Sequence, residues 1–165
     1  MQYRDACAVP SLAVLLCLLT TGCQSNCPHG SDQAHRAITP DQIQWQNNPP
    51  SLPPGAKMAV LEGDPSKPGF FTIRAVFPDG FRIPPHMHPN AERVTVLSGT
   101  LYLAHGEKFD ESAAQALPAG SYSSMPAGMH HYGFAKGETT IQVSSIGPWG
   151  ITYLNPSDDP RKPVK

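Results

Sequence analysis

Nineteen prolines and fourteen glycines are spread through these 165 residues, and that density limits the fold more than any other feature. Together they make up about a fifth of the chain, above the usual share. Proline removes a backbone donor and breaks helix interiors, so long helices are excluded. Many short strands joined by turns fit the punctuation. The length suits one domain with a real core rather than two. Charged residues are only 15% of the chain and the formal net charge is -1. No basic patch argues for a nucleic-acid partner.

The first residues read as a targeting segment. Arg4 supplies a weak positive start, and Leu12 to Leu19 form an apolar run. A bilayer span needs roughly 20 apolar residues, so this run fits a signal-peptide core instead. Residues 1–22 are therefore expected to be an export signal. Thr20-Thr21-Gly22-Cys23 resembles a bacterial lipobox, although Thr20 stands where that pattern prefers Leu. The resemblance implies acylation of Cys23 at the mature N-terminus and a lipid anchor in the membrane, with Gln24 compatible with outer-membrane sorting. Ordinary signal cleavage is the rival. Without lipid, Cys23 and Cys27 are available for a small-loop disulfide in an oxidising compartment. Either route leads to the periplasm or the outer membrane. The signal has no twin-arginine pair, so the chain is expected to cross unfolded and take up any metal outside the cytoplasm.

Residues 23–54 are polar and Pro-rich, a tether and lead-in segment, and Asn47-Asn48-Pro49-Pro50 breaks regular structure. Residues 55–155 form the predicted β domain, without an internal repeat. Strands are predicted at 57–61, 70–77, 93–97, 100–104, 121–125, 131–135, 139–146 and 150–154. Ser98-Gly99 reads as the turn of a hairpin, and 109–117 as a short helical turn. The tail, 156–165, is polar and expected to be loosely held.

The chemistry lies in Gly80-Phe81-Arg82-Ile83-Pro84-Pro85-His86-Met87-His88-Pro89-Asn90-Ala91-Glu92. Side chains two apart on a strand share a face, so His86 and His88 point together. Glu92 keeps the same parity, and Val94 and Val96 continue it as apolar lining. Two imidazoles and a carboxylate can thus converge on one side of a strand or bulged strand. Downstream runs Gly120-Ser121-Tyr122-Ser123-Ser124-Met125-Pro126-Ala127-Gly128-Met129-His130-His131.

The two stretches together resemble the cupin family. Gly80, His86, His88, Glu92 and Gly99 match every fixed position of its first motif; Gly120, Pro126, Gly128 and His131 match its second. Ala135 stands where the family usually has Asn, which puts local hydrogen bonds in doubt but not the metal ligands. The resemblance implies an all-β fold, a single cupin (double-stranded β-helix, or jelly-roll) barrel. It also implies that His86, His88, Glu92 and His131 hold one divalent transition metal: Mn, Fe, Ni, Cu, Zn or Co. Such a donor set suits that range of ions. His130, next to His131, faces the other way on a strand and is read as an outer or rim group. His29, His35 and His105 are read as surface residues, and Met87, Met125, Met129, Trp149 and Tyr153 as packing.

Two functions follow. One is a metalloenzyme acting on a small organic ligand as a dioxygenase, isomerase or decarboxylase, with Glu92 as the candidate base. The other is an envelope binding protein for a small anion, sugar or metal. Cupins often dimerise through edge strands, so an exposed edge would allow a homodimer.

Overall fold

The computed structural model describes residues 35–162. Residues 1–22, expected to be an export signal, and Cys23, Cys27 and His29 lie outside that range. The folded unit begins at Ala37.

Eleven strands follow one another: β1 Gln46–Asn47, β2 Lys57–Glu62, β3 Gly69–Phe77, β4 Arg82–Met87, β5 Glu92–Ser98, β6 Thr100–His105, β7 Gln115–Pro118, β8 Tyr122–Met125, β9 His131–Ala135, β10 Thr139–Gly147 and β11 Thr152–Tyr153. Three short 3-10 turns are the only helical pieces among the described residues. The strands form two sheets, β1-β2-β3-β10-β5-β8 and β11-β4-β9-β6-β7. Every paired neighbour is antiparallel. This is the expected all-β jelly-roll.

The core follows from strand alternation. In β3, Phe71, Ile73, Ala75 and Phe77 point inward; in β10, Ile141 and Val143 meet them beside Val94 and Val96 of β5. Leu101 and Ala135 close the core from the second sheet. Phe77 and Phe81 stack with centroids 4.7 Å apart. Facing apolar rows of this kind hold two sheets together, at roughly 25 cal/mol per Å² buried.

Four expectations need correction. Ser98-Gly99 is not a hairpin turn: β5 and β6 belong to different sheets, and the turn carries the chain across the sandwich. Gly99 sits at φ +73° beside the carbonyl of Glu138 and the side chain of Thr139. Crossing under a neighbouring strand leaves no room for a Cβ. The helical reading of 109–117 holds only for Glu111–Ala113, after which Gln115–Pro118 joins β6 as a strand. Sheet pairing begins at Gln46–Asn47, within the segment read as a tether. Finally, the described part of the tail is fastened, not loose. Arg161 Nη2 donates to the Ile151 carbonyl at 3.1 Å, and the guanidinium also binds Asp159.

Strand β4 did not stand out as a ladder strand because Pro84-Pro85 interrupts it. Its pairing with β9 shifts register between Ile83 and His86. The prolines thus make a bulge, and the histidines sit just beyond it.

Candidate metal site

His86 and His131 are direct cross-strand partners on β4 and β9. Their rings lie 4.2 Å apart between centroids. His88 follows β4 and is held by the later motif: Gly128 N donates to the His88 carbonyl at 2.9 Å. Gly128 adopts φ +74°, the left-handed value that lets this tight turn deliver His131 to the same place. Met129 N closes the turn onto the Pro126 carbonyl at 3.2 Å. All three histidines are buried, at 3% (His86), 7% (His88) and 3% (His131) exposure. One ring nitrogen from each lies within 4.8 Å of the others.

The same-strand placement of Glu92 is overturned. The chain leaves β4 at Met87, turns at residues 89–91 and starts β5 in the opposite sheet. Pro89 has no donor for the ladder, so the strand ends there. Glu92 therefore faces the histidines from across the barrel. Its Oε2 is 3.2 Å from His131 Nε2 and 3.7 Å from His88 Nε2. The inward parity of Glu92, Val94 and Val96 is as expected, with both valines buried.

Each imidazole is oriented through its other nitrogen. His86 Nδ1 donates to the Pro84 carbonyl at 2.7 Å, His88 Nδ1 to the Gly150 carbonyl at 2.7 Å, and His131 Nδ1 to the Met129 carbonyl at 2.9 Å. A carbonyl only accepts, so each Nδ1 carries the proton. The three Nε2 atoms are left facing one another, those of His86 and His88 with free lone pairs and that of His131 toward Glu92. Such partners fix tautomer and ring direction around metal ions.

The electrostatics fit. Burial lowers His86 to about 3, reinforced by the other two histidines and opposed by the Pro84 carbonyl and Glu92. Burial also lowers His88, with Glu92 and the Gly150 carbonyl opposing. Both are neutral and ready to donate a lone pair near neutral pH. For Glu92, burial pushes upward, but the His131 hydrogen bond and the surrounding imidazoles outweigh it and keep it ionised. For His131, burial pulls downward, but the Glu92 hydrogen bond and charge prevail and raise it. Without an ion, a shared proton joins His131 and Glu92.

His130 lies outside the cluster, its Nδ1 3.1 Å from Glu107 Oε1. His35 and His105 are exposed. Met125 is core, and Met129 packs against it. Ala135, in the usual Asn position, is buried and uses its backbone instead. Its carbonyl accepts from Gly80 N at 3.1 Å and its N–H reaches the Phe81 carbonyl at 2.9 Å.

Trp149 was read from the sequence only as packing, yet it forms a wall of the site. Its indole stacks on His88 with centroids 4.0 Å apart, and Phe71 meets it edge-on. Tyr153 acts as a strut, its hydroxyl donating to the Ser51 carbonyl at 2.8 Å. A cavity of about 270 Å³ adjoins His86, His88 and Glu92.

Among solved structures, the fold is similar to the polyketide cyclase RemF from Streptomyces resistomycificus. The TM-score is 0.63 at 18% identity, over 77% of this chain and 90% of that one. It is also similar to a proposed acetylacetone dioxygenase from Methylibium petroleiphilum, with TM-score 0.60 at 19% identity, over 80% and 89%. An RmlC-like cupin from Shewanella frigidimarina gives 0.54 at 13% identity, over 70% and 94%. These likenesses establish the cupin fold. No curated protein matches the sequence. Residues 37–163 match the family model described as a domain of unknown function, DUF4437, and because that span is most of the chain, the protein belongs to the DUF4437 family.

Proposed function

We propose that the protein holds one divalent transition metal on His86, His88, His131 and Glu92. In this reading it acts on a small organic molecule in the adjoining cavity, as a metal-dependent enzyme of dioxygenase, isomerase or decarboxylase type. The observation that carries the reading is the set of three Nδ1–carbonyl hydrogen bonds, which turn three Nε2 atoms to one place, where Glu92 Oε2 also lies. A bound ion would supply Lewis acidity and, if it is Mn, Fe or Cu, one-electron chemistry. The imidazoles hold and orient. Glu92 Oε2, 3.2 Å from His131 Nε2, is the one carboxylate lining the cavity among the described residues and the candidate base. Aliphatic walls border the reacting end of the cavity.

Elemental analysis of purified protein, followed by turnover assays with Fe, Mn, Ni, Cu, Co and Zn forms, tests this. One bound ion per chain and turnover by at least one form is the expected result. A chain that binds no ion after chelation and reloading overturns the metal reading.

One observation favours capture without chemistry. Among the described residues, Ser51 and Ser66 are the only hydroxyl side chains on the lining, beside Glu92 and the histidines. A bound compound recovered unchanged with every metal form would support that alternative. Residues 1–22 and Cys23 support a further part of the proposal: export, with the protein free in the periplasm or lipid-anchored at the outer membrane.

A further inference from the structure

The cavity beside the histidines carries almost no polarity of its own. Met58, Ile73, Ile83, Ile141, Val143 and Trp149 supply much of its wall. Among the described residues, Lys, Arg, Asn, Gln and Asp are absent from the lining, and Glu92 is its only acidic residue. An isolated carboxylate or phosphate carried into apolar surroundings pays a large desolvation penalty. Away from the metal end it would find no side-chain cation among the described lining residues to offset that penalty, so only a group that ligates the ion itself could carry a charge. A sugar would bring several hydroxyls to walls where Ser51, Ser66 and the Trp149 indole N–H are the only side-chain partners besides the metal end among the described residues, leaving most of them unpaired. The volume of about 270 Å³ lies below the roughly 300–1,000 Å³ of pockets for drug-sized ligands.

We infer that the ligand is a small molecule, uncharged in solution and mostly hydrocarbon, of one ring or a short chain. It presents carbonyl, enol or phenol oxygen at the His86/His88/Glu92 end. Compounds with a second charged group, such as dicarboxylates, sugar acids and phosphorylated compounds with a further anion, are disfavoured because that group would face the apolar walls. The oxygen end rests on the metal reading above, whereas the hydrocarbon body rests on the walls alone. Trp149 and Met58 give that body polarizable surfaces to lie against.

The test compares matched probes on the zinc-loaded protein, because zinc has no redox chemistry to consume them. Zinc content is measured first. A short β-diketone and a simple phenol are then titrated against malonate, oxalate and a pentose by calorimetry. Thermal unfolding and Trp fluorescence serve as second readouts. The neutral probes are expected to bind at least tenfold more tightly than the dicarboxylates and the pentose. Equal or tighter binding of malonate or oxalate overturns the inference, as does a zinc-loaded protein that binds neither neutral probe.

If no zinc is retained, the metal reading fails on its own. The same comparison on the metal-free protein then decides the hydrocarbon preference by the same criterion. Ala75 points into the cavity. Ala75→Leu is expected to weaken neutral-probe binding at least tenfold while leaving zinc content unchanged. Unweakened binding in that variant would place the ligand elsewhere. If the variant does not fold, Ile73→Phe fills the same space and is judged in the same way.

Discussion

The indole of Trp149 lies flat on the imidazole of His88, with centroids 4.0 Å apart and planes 15° from parallel. The other ring nitrogen of His88 is held by the carbonyl of Gly150, the next residue after Trp149. One short piece of chain therefore fixes both the face and the edge of this ligand. Trp149→Phe keeps a ring in place and is expected to change Zn affinity little. Trp149→Ala frees His88 and is expected to weaken Zn binding about tenfold, at the low end for partners that orient ligands. Competitive titration against a chromophoric chelator measures both.

Loading with metal should release a proton. His131 is raised by Glu92 and so is partly protonated near neutral pH, and an ion bound at its Nε2 must displace that proton. Calorimetry in buffers of different ionisation enthalpy is expected to show proton release at pH 7 that declines as pH rises. Glu92→Gln removes the charged partner, leaves burial to pull His131 downward and is expected to reduce the release. An unchanged release in Glu92→Gln would contradict the shared proton.

Acid should weaken the metal-free fold. His86, at about 3, and His88, also lowered, stay neutral in the folded state, whereas in the unfolded chain they protonate as pH falls through 6.5. The unfolded state then binds more protons, so stability falls with pH from about 6.5 downward. Glu92, also lowered, adds loss as pH falls through and below 4.5. His131 acts the opposite way, since its stabilisation is complete below 6.5 and fades as pH rises through its raised value. Three groups outweigh one. Melting of chelator-treated protein is expected to shift down steadily between pH 6.5 and 4.

Gly99→Ala should be costly. An added Cβ would strike the Glu138 carbonyl and come within 2.6 Å of Thr139 Oγ1 and 2.8 Å of Thr139 Cα, at a positive φ. Strain of this kind costs on the order of 1–3 kcal/mol or more. Chemical denaturation should show a loss of that size, with metal stoichiometry preserved in the folded fraction.

Export and lipidation are testable on the whole chain. Expressed in a diderm bacterium, the protein is expected in the envelope fraction with an acylated N-terminal Cys23 by mass spectrometry. Cys23→Ser is expected to release it from the membrane. Recovery of an intact residue 1 in the cytoplasm would contradict the proposal.

Much of the fold was legible because inward and outward residues alternate along β3, β5 and β10. His86 and His88 were legible from their two-residue spacing on a strand, and His131 from the resemblance of Gly120, Pro126, Gly128 and His131 to the second cupin motif. The partnership of the strands was not. Ser98-Gly99 looks like a hairpin locally, and only the competing pairings of β5 with β10 and of β6 with β9 reveal the crossing. Parity along the chain gave Glu92 its inward direction but not its sheet, since a turn at residues 89–91 preserves the one and changes the other. Trp149 gave no signal because its role depends on a His88 contact made by residues 61 positions apart.

Glu92 stands on one sheet and the histidines are held on or beside strands of the other. An ion gripped by all four would act as a rivet through the sandwich. Slippage of either layer would have to tear a donor away, so a loaded protein should resist mechanical shear and proteolytic nicking at this end far better than an empty one.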